Sequence, residues 1–325
     1  MEISSGKTKE MKKTKSLEEC NMKLRKTIAL ALAAALAALT LTACGGNSSA
    51  GTSGSQSAAG SSAGSAGAST SEPVTVKLGI VGGINEDLWA PAKATLAEEG
   101  IDLELVNFSD YVTPNRALND GEIDLNAFQH RIYLQGEIDS YGYEIQNIGN
   151  TFIAPLSLFS DKITSVDELK DGDVIAIPND LTNGGRALKV LESAGIITLD
   201  PNAGFNPTVD DIQTYHVGVT IKELKANVIV STLPDVTAAI VNNNYALDFG
   251  LAASDAIFAD DRLDIEDYWN LIAARTADLS DPAKVEVFRK VVDAYQSDGT
   301  LAVYNDQCKG FYSPAGWDQD LLPQA

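Results

Sequence analysis

The chain has 325 residues, with 24 Lys and Arg against 45 Asp and Glu, a formal net charge of −21. Such an acidic balance argues against nucleic acid and against electrostatic docking on anionic lipid. With three Cys and two His in the whole sequence, a zinc site built on three or four thiolates or imidazoles has too few ligands to lead, and no metal or cofactor is expected.

The N-terminal region reads as an export signal. Lys23, Arg25 and Lys26 precede an apolar run from Thr27 to Leu41, which closes on Leu41-Thr42-Ala43-Cys44. A basic start, an apolar stretch and small residues at the end make a secretory signal. A transmembrane anchor fits less well, because about sixteen apolar residues fall short of the roughly 20 that a span needs. The Leu-Thr-Ala-Cys ending resembles the bacterial lipobox, which implies a diacylated Cys44 as the mature N-terminus, anchored on the extracytoplasmic face of the cell membrane. Residues 1–43 are therefore leader and signal, with Met22 the natural start and 1–21 either an over-read frame or a long leader.

Removing those 43 residues leaves 282, with 16 basic and 41 acidic side chains and a net charge of −25. Cys20 leaves with the leader and Cys44 takes the lipid, so Cys308 stands alone and no intrachain disulfide is possible. Residues 44–73 hold the lipidated Cys and a Gly/Ser/Ala/Thr-rich tether that cannot bury a core. As a random coil its 28-residue stretch from Gly45 to Glu72 has a reach of about 30 Å.

Structure begins at Val74. Val76–Val81 reads as a buried strand, Asn85–Glu99 as a helix closed by Gly100, and Asp102–Phe108 as an alternating strand. Ile123–Ala127, Tyr143–Ile148, Ala154–Phe159, Val174–Ile177 and Arg186–Ala194 continue the succession of strand and helix patterns. Ser165-Val166-Asp167-Glu168 fits a capping box, and Asp281-Pro282 fits the N-cap and first residue of a helix running to Gln296. The alternation predicts α/β architecture with mainly parallel sheets.

Catalytic signatures are missing. No Gly-x-Ser-x-Gly elbow, His-Glu-x-x-His, phosphate loop or Gly-x-Gly-x-x-Gly occurs in the sequence. An exported, lipid-anchored α/β protein of this kind points to solute capture for an importer rather than to an enzyme.

Specific segments sharpen the reading: Phe108-Ser-Asp-Tyr111, Asp124-Leu-Asn-Ala-Phe-Gln-His130 with Tyr133, Gly149-Asn-Thr-Phe152, Ile177-Pro-Asn-Asp-Leu-Thr-Asn-Gly-Gly-Arg186, Val241-Asn-Asn-Asn-Tyr-Ala246 and Ala294-Tyr-Gln-Ser-Asp298. Together, and in order from about Val76 to Trp317, they resemble the methionine-binding lipoprotein family, the NLPA lipoproteins that feed methionine ABC importers. The resemblance implies a two-lobe, type II-like periplasmic-binding-protein fold with the ligand in the cleft. Crossings near Leu158 and Tyr245 would give one lobe of 74–158 plus 246–325 and a second of 159–245. It also implies an ABC permease and its ATPase as partners, methionine (the L form expected) as ligand, no nucleic acid and a monomeric state.

The residues agree with an amino-acid site. Arg186, where a strand turns through Asn183-Gly184-Gly185 into a helix, suits a carboxylate clamp, although an interlobe salt bridge explains it equally well from spacing alone. Helix-start amides there also favour an anion. Tyr111, Phe128, His130 and Tyr133 would wall a thioether; ordinary core packing is the competing account of each. By resemblance, Asn242 and Asn270 offer side-chain oxygens to an ammonium, and Asn183 lines the same spot; their alternative is turn and cap chemistry. Two departures from the family pattern stand out: Val228-Ile229-Val230-Ser231 replaces Gln-Leu-Pro-Arg, and Val81-Gly82-Gly83-Ile84-Asn85 lacks a Gly-Pro-His character. Both leave the expected pocket largely intact but open the ligand to D-methionine, a derivative, another apolar amino acid or a short peptide. A surface-interaction lipoprotein with a vestigial pocket is the alternative of a different class.

Overall fold

The computed structural model describes residues 73–260 and 262–324; the leader, Cys44 and the tether through Glu72 lie outside the described residues. β1 (Val74–Val81) buries Val76, Leu78, Ile80 and Val81, the pattern of a central strand covered on both faces. It pairs in parallel with β2 (Ile101–Phe108) and β3 (Leu125–His130). Between β1 and β2 runs α1 (Ile84–Glu98), which buries Ile84, Leu88, Ala92 and Leu96 at a spacing of four, one stripe of a helix. Helix α1 has no cap from its own sequence. Its first amides are satisfied instead by Asp248, whose two carboxylate oxygens each accept at 2.9 Å, from Gly83 N–H and Ile84 N–H.

The first sheet is completed by β4 (Ile145–Asn150) and β13 (Asn270–Arg275), in the order β2-β1-β3-β13-β4, with β13 antiparallel to both neighbours. Helices α2 (Pro114–Asn119) and α3 (Arg131–Tyr141) flank β3. The second sheet has the order β10-β7-β11-β6-β12, built from β6 (Ser157–Phe159), β7 (Val174–Pro178), β10 (Thr220–Leu224), β11 (Ala238–Val241) and β12 (Phe258–Ala259). Its helices are α4 (Leu181–Ser193), after β7, and the short α5 (Ala226–Ile229), while β8 (Ile197–Leu199) and β9 (Ile212–Tyr215) form a separate antiparallel pair. Helix α6 (Asn243–Phe249) follows β11, and α7 (Pro282–Tyr295) and α8 (Asp298–Gln307) pack on α1. Trp89 of α1 meets Tyr295 of α7 with ring centroids 4.4 Å apart, both rings fully buried. One apolar cluster runs from the first sheet through α1 and α6 to Ala176, Ala239 and Val241 of the second.

Four local outcomes differ from the sequence reading. Each sheet has a parallel core, but half of the strand pairings are antiparallel, because the segments that pass between the sheets (β6, β12, β13) run back along them. Ala154–Phe159 is not one strand. β5 (Phe152–Ile153) pairs with β14 (Ser313–Pro314), and the chain crosses at 154–156 before β6; Pro155 has no N–H to continue a ladder. The return crossing falls between Ala259 and Asn270 rather than near Tyr245, since β12, two residues long, still belongs to the second sheet. Finally, α4 starts at Leu181 with Asp180 as N-cap, not at Arg186. Gly184 and Gly185 look like turn residues but serve close approach: a Cβ on Gly184 would lie 2.8 Å from the Pro178 carbonyl oxygen, and one on Gly185 would lie 2.9 Å from Asn206 Cα. The capping box at Ser165–Glu168 and the Asp281 cap of α7 are present as read.

Candidate ligand-binding site

The C-terminal ends of β3, β7 and β11 and the N-termini of α3 and α4 meet between the two sheets, the crevice position where open α/β sheets hold ligands. A cavity of about 60 Å³ lies there. Tyr111, Phe128, His130, Tyr133, Asn183, Arg186, Asn242 and Asn270 all line it. Cys44 lies outside the described residues.

Arg186 is 5% exposed and sits in the second turn of α4. Its Nε donates to Asp260 Oδ2 at 3.1 Å, and its Nη2 donates to the Ala154 carbonyl at 2.9 Å. The guanidinium carbon lies 4.1 Å from the centre of the Tyr268 ring. Arg186 is therefore in a buried salt bridge and at the cavity at once: two nitrogens are held by the protein, while Nη1 has no hydrogen bond among the described residues and the side chain lines the cavity. Asp260 also takes Arg262 Nε, at 2.8 Å. Two guanidiniums around one carboxylate leave a net positive charge, which a carboxylate ligand would neutralise. Burial lowers the Arg186 pKa, opposed by the Asp260 charge. Burial pushes the Asp260 carboxyl up, but the Arg186 charge and the Arg262 contacts outweigh it and hold the group below the usual range.

Next to Arg186, a set of side-chain amides has its direction decided by neighbours that can only accept or only donate. Asn183 Nδ2 donates to Asp180 Oδ1 at 3.0 Å, so Asn183 Oδ1 is free to accept, and Asn242 Nδ2 donates to it at 2.9 Å. Asn242 Oδ1 is left buried with no partner. Asn243 Nδ2 donates to the Pro155 carbonyl, which likewise leaves Asn243 Oδ1 buried and unpartnered. His130 is the N-cap of α3: its Nδ1 accepts from Tyr133 N–H at 3.1 Å, so its Nε2 carries the proton toward Asn183 Oδ1 at 3.3 Å. The imidazole is accordingly neutral, and burial, with the Arg186 charge second, lowers its pKa to about 4. Asn270 stands opposite His130 in the β3–β13 ladder.

The other part of the wall is aromatic. Tyr111, Phe128 and Tyr133 have mutual centroid distances of 5.9, 6.2 and 6.0 Å, and Tyr133 reaches His130 at 6.2 Å. Tilted and edge-on rings at such distances form a stable apolar box. His130 joins this box to the amide set.

The arrangement offers a cation for a carboxylate, unpartnered carbonyl oxygens for an ammonium and rings for an apolar side chain. The family model of the NlpA lipoproteins matches residues 76–316. The chain belongs to the NlpA lipoprotein family. It is 40% identical over 257 residues to a D-methionine-binding lipoprotein MetQ of Yersinia pestis, covering 77% of this chain and 92% of that relative. A nutrient-binding protein from Burkholderia cenocepacia, solved bound to methionine, matches with a TM-score of 0.70 at 36% identity, over 74% of this chain and all of that one. The substrate-binding protein of a methionine transporter from Streptococcus pneumoniae gives 0.71 at 33% identity, over 74% of this chain and 96% of that one. These relatives are binding proteins, and the fold of this NlpA lipoprotein is the two-lobe, type II-like periplasmic-binding-protein fold.

In this NlpA lipoprotein the cavity also takes residues that the sequence reading does not single out. Asn243 and Asn244 lie within the quoted Val241–Ala246 segment and Phe152 closes the quoted Gly149–Phe152 segment, so proximity to a motif could have flagged them. Tyr312, whose ring stacks on Phe152 at 4.0 Å, carries no local signal. Of the two segments that depart from the family pattern, Val228–Ser231 lies off the cavity, whereas Asn85, in the first turn of α1, lines it. Among the described residues no cluster of three His, Cys, Asp or Glu side chains could hold a metal ion.

Proposed function

We propose that this NlpA lipoprotein captures methionine outside the cytoplasm and delivers it to an ABC importer, as a binding protein without catalytic activity. In this reading Cys44 carries the lipid anchor, the protein acts as a monomer, and the lobes are taken from the two sheets, with the ligand between them. Arg186 clamps the ligand carboxylate; Asn242 and Asn270, with Asn183 beside them, receive the ammonium; Tyr111, Phe128, His130 and Tyr133 enclose the thioether. Burying a side chain of methionine's size contributes roughly 1.5–3 kcal/mol, and sulfur–aromatic contacts about 0.3–1.5 kcal/mol more.

The observation that carries the proposal is the buried guanidinium of Arg186, tied down at Nε and Nη2 and adjoining both orphaned amide oxygens and an aromatic box. Mass spectrometry of ligand retained through native purification tests it, followed by calorimetry with L- and D-methionine. Wild-type protein should bind one or both at micromolar Kd or tighter, about −8 kcal/mol or better. Arg186→Ala should abolish the heat of binding. Because that change removes one of the two cations around buried Asp260, Arg186→Lys, which keeps the charge and loses the fork, is measured alongside and should weaken binding at least tenfold. Wild-type affinity in folded Arg186→Lys would refute the clamp, and retention of a different solute would redirect the ligand assignment to another apolar amino acid, a derivative or a short peptide.

A further inference from the structure

Asp180 does not line the cavity, and nothing in the proposed ligand set includes it. It is the N-cap of α4, and one carboxylate oxygen, Oδ1, collects three donors: Asn183 N–H at 2.9 Å, Asn183 Nδ2 at 3.0 Å and Thr182 Oγ1 at 3.2 Å. An ordinary cap needs only the first. The second has a consequence beyond the helix, because a side-chain amide that donates through its nitrogen on one side must present its oxygen on the other.

The path can be followed atom by atom. Asn183, 3% exposed, cannot turn its amide over without setting Oδ1 against the Asp180 carboxylate. Its Oδ1 therefore faces Asn242 Nδ2 at 2.9 Å and His130 Nε2 at 3.3 Å, and both of these donate. With Nδ2 engaged, Asn242 must offer Oδ1, the buried atom left without a partner. An amide reversed along this path would put an NH2 where a cationic ammonium needs an acceptor, replacing attraction with repulsion at a buried atom.

We propose that Asp180 is a positioning residue that sets the hydrogen-bond direction of the cleft, through Asn183, so that Asn242 presents its oxygen to the ammonium of the bound amino acid. This rests on the amino-acid-binding reading and deepens it. The role is one of direction rather than charge. Asparagine at 180 would keep an Oδ1 in the same place to accept the same three donors. Serine would still cap α4 through its hydroxyl, but it is too short to hold Asn183 Nδ2 as well, which leaves the 3.3 Å contact with His130 Nε2–H as the remaining hold on the direction of the Asn183 amide.

The experiment is calorimetry on wild type, Asp180→Ser and Asp180→Asn, each with methionine and with 4-(methylthio)butanoate, which has the same carboxylate and thioether but no ammonium. Methionine affinity should fall at least tenfold in Asp180→Ser and stay within about threefold of wild type in Asp180→Asn. Affinity for the desamino compound should be the same in all three proteins within that margin. Equal losses for both compounds in Asp180→Ser, or an Asp180→Asn defect as large as that of Asp180→Ser, would overturn the inference in favour of a structural or a charge effect. So would unchanged methionine binding in Asp180→Ser. If wild type binds no amino acid at all, the functional reading falls and takes this inference with it; binding by wild type with no effect of serine sinks only the inference.

Discussion

At the scale of single residues, Arg186 shows how a buried charge is tolerated: Asp260 is buried with it, and Ala154 supplies a carbonyl where the carboxylate does not reach. His130 takes the opposite course and stays neutral. Its pKa of about 4 lies below the value near 6.5 of an unfolded His. The unfolded chain thus binds more protons between pH 6.5 and 4, so stability falls as the pH drops through that window, by at most about 1.4 kcal/mol per pH unit. Thermal unfolding should therefore show wild type losing Tm faster than His130→Gln on acidification from pH 6.5 to 4, with the two parallel above pH 7. The comparison with the variant is needed because burial raises the pKa of Asp180 and of Glu137, which push the total in the other direction. Parallel curves throughout would mean that His130 is not held neutral by its surroundings.

At the scale of elements, α1 depends on a residue 164 positions away. Gly83 offers no side chain to cap it, and Asp248 at the end of α6 does so with both oxygens. Loss of an N-cap costs roughly 0.5–2 kcal/mol. Asp248→Ala should lower stability by about that amount in urea unfolding with an unchanged m-value, and Asp248→Asn by less. An Asp248→Ala protein as stable as wild type would remove the cap from the account. Helix α4 makes the related point about where elements start. Asp180 caps it from within its own segment, a local signal, but Asn183-Gly184-Gly185 reads as a turn because the reason for two glycines is the nearby Pro178 carbonyl and the 206–207 backbone. Strands failed to be legible where they were shortest: β12 and β14 have two residues each, too few for any period to register.

For the whole molecule, side chains from the two halves meet in the site and beside it. His130 at the start of α3 reaches Asn183 of α4, Tyr111 donates to Asn244, and Asn227 Nδ2 donates to the Ser109 carbonyl at 3.2 Å. A ligand that bridges the same surfaces adds its binding energy to folding. At one hundred times Kd the gain is about 2.7 kcal/mol, and methionine at that concentration should raise the Tm by roughly 5–10 °C for a domain of this size. A panel of amino acids run in the same thermal assay would rank the candidates, and no shift from any of them would favour the surface-interaction alternative.

What could be read along the chain is whatever depends on neighbours in sequence. The signal-like start, the succession of strand and helix patterns, the caps at Ser165 and Asp281, the absence of catalytic motifs and the segments carrying Phe128, His130, Asn183 and Arg186 all belong there. What needed three dimensions was everything set by distant partners: Asp260 beside Arg186, Tyr312 against Phe152, Asp248 on α1, and the crossing that falls after Ala259. Residue type and spacing encode local backbone preference and apolar period. The direction of a hydrogen bond and the counter-ion of a buried charge are decided only when folding brings the second group within about 3 Å.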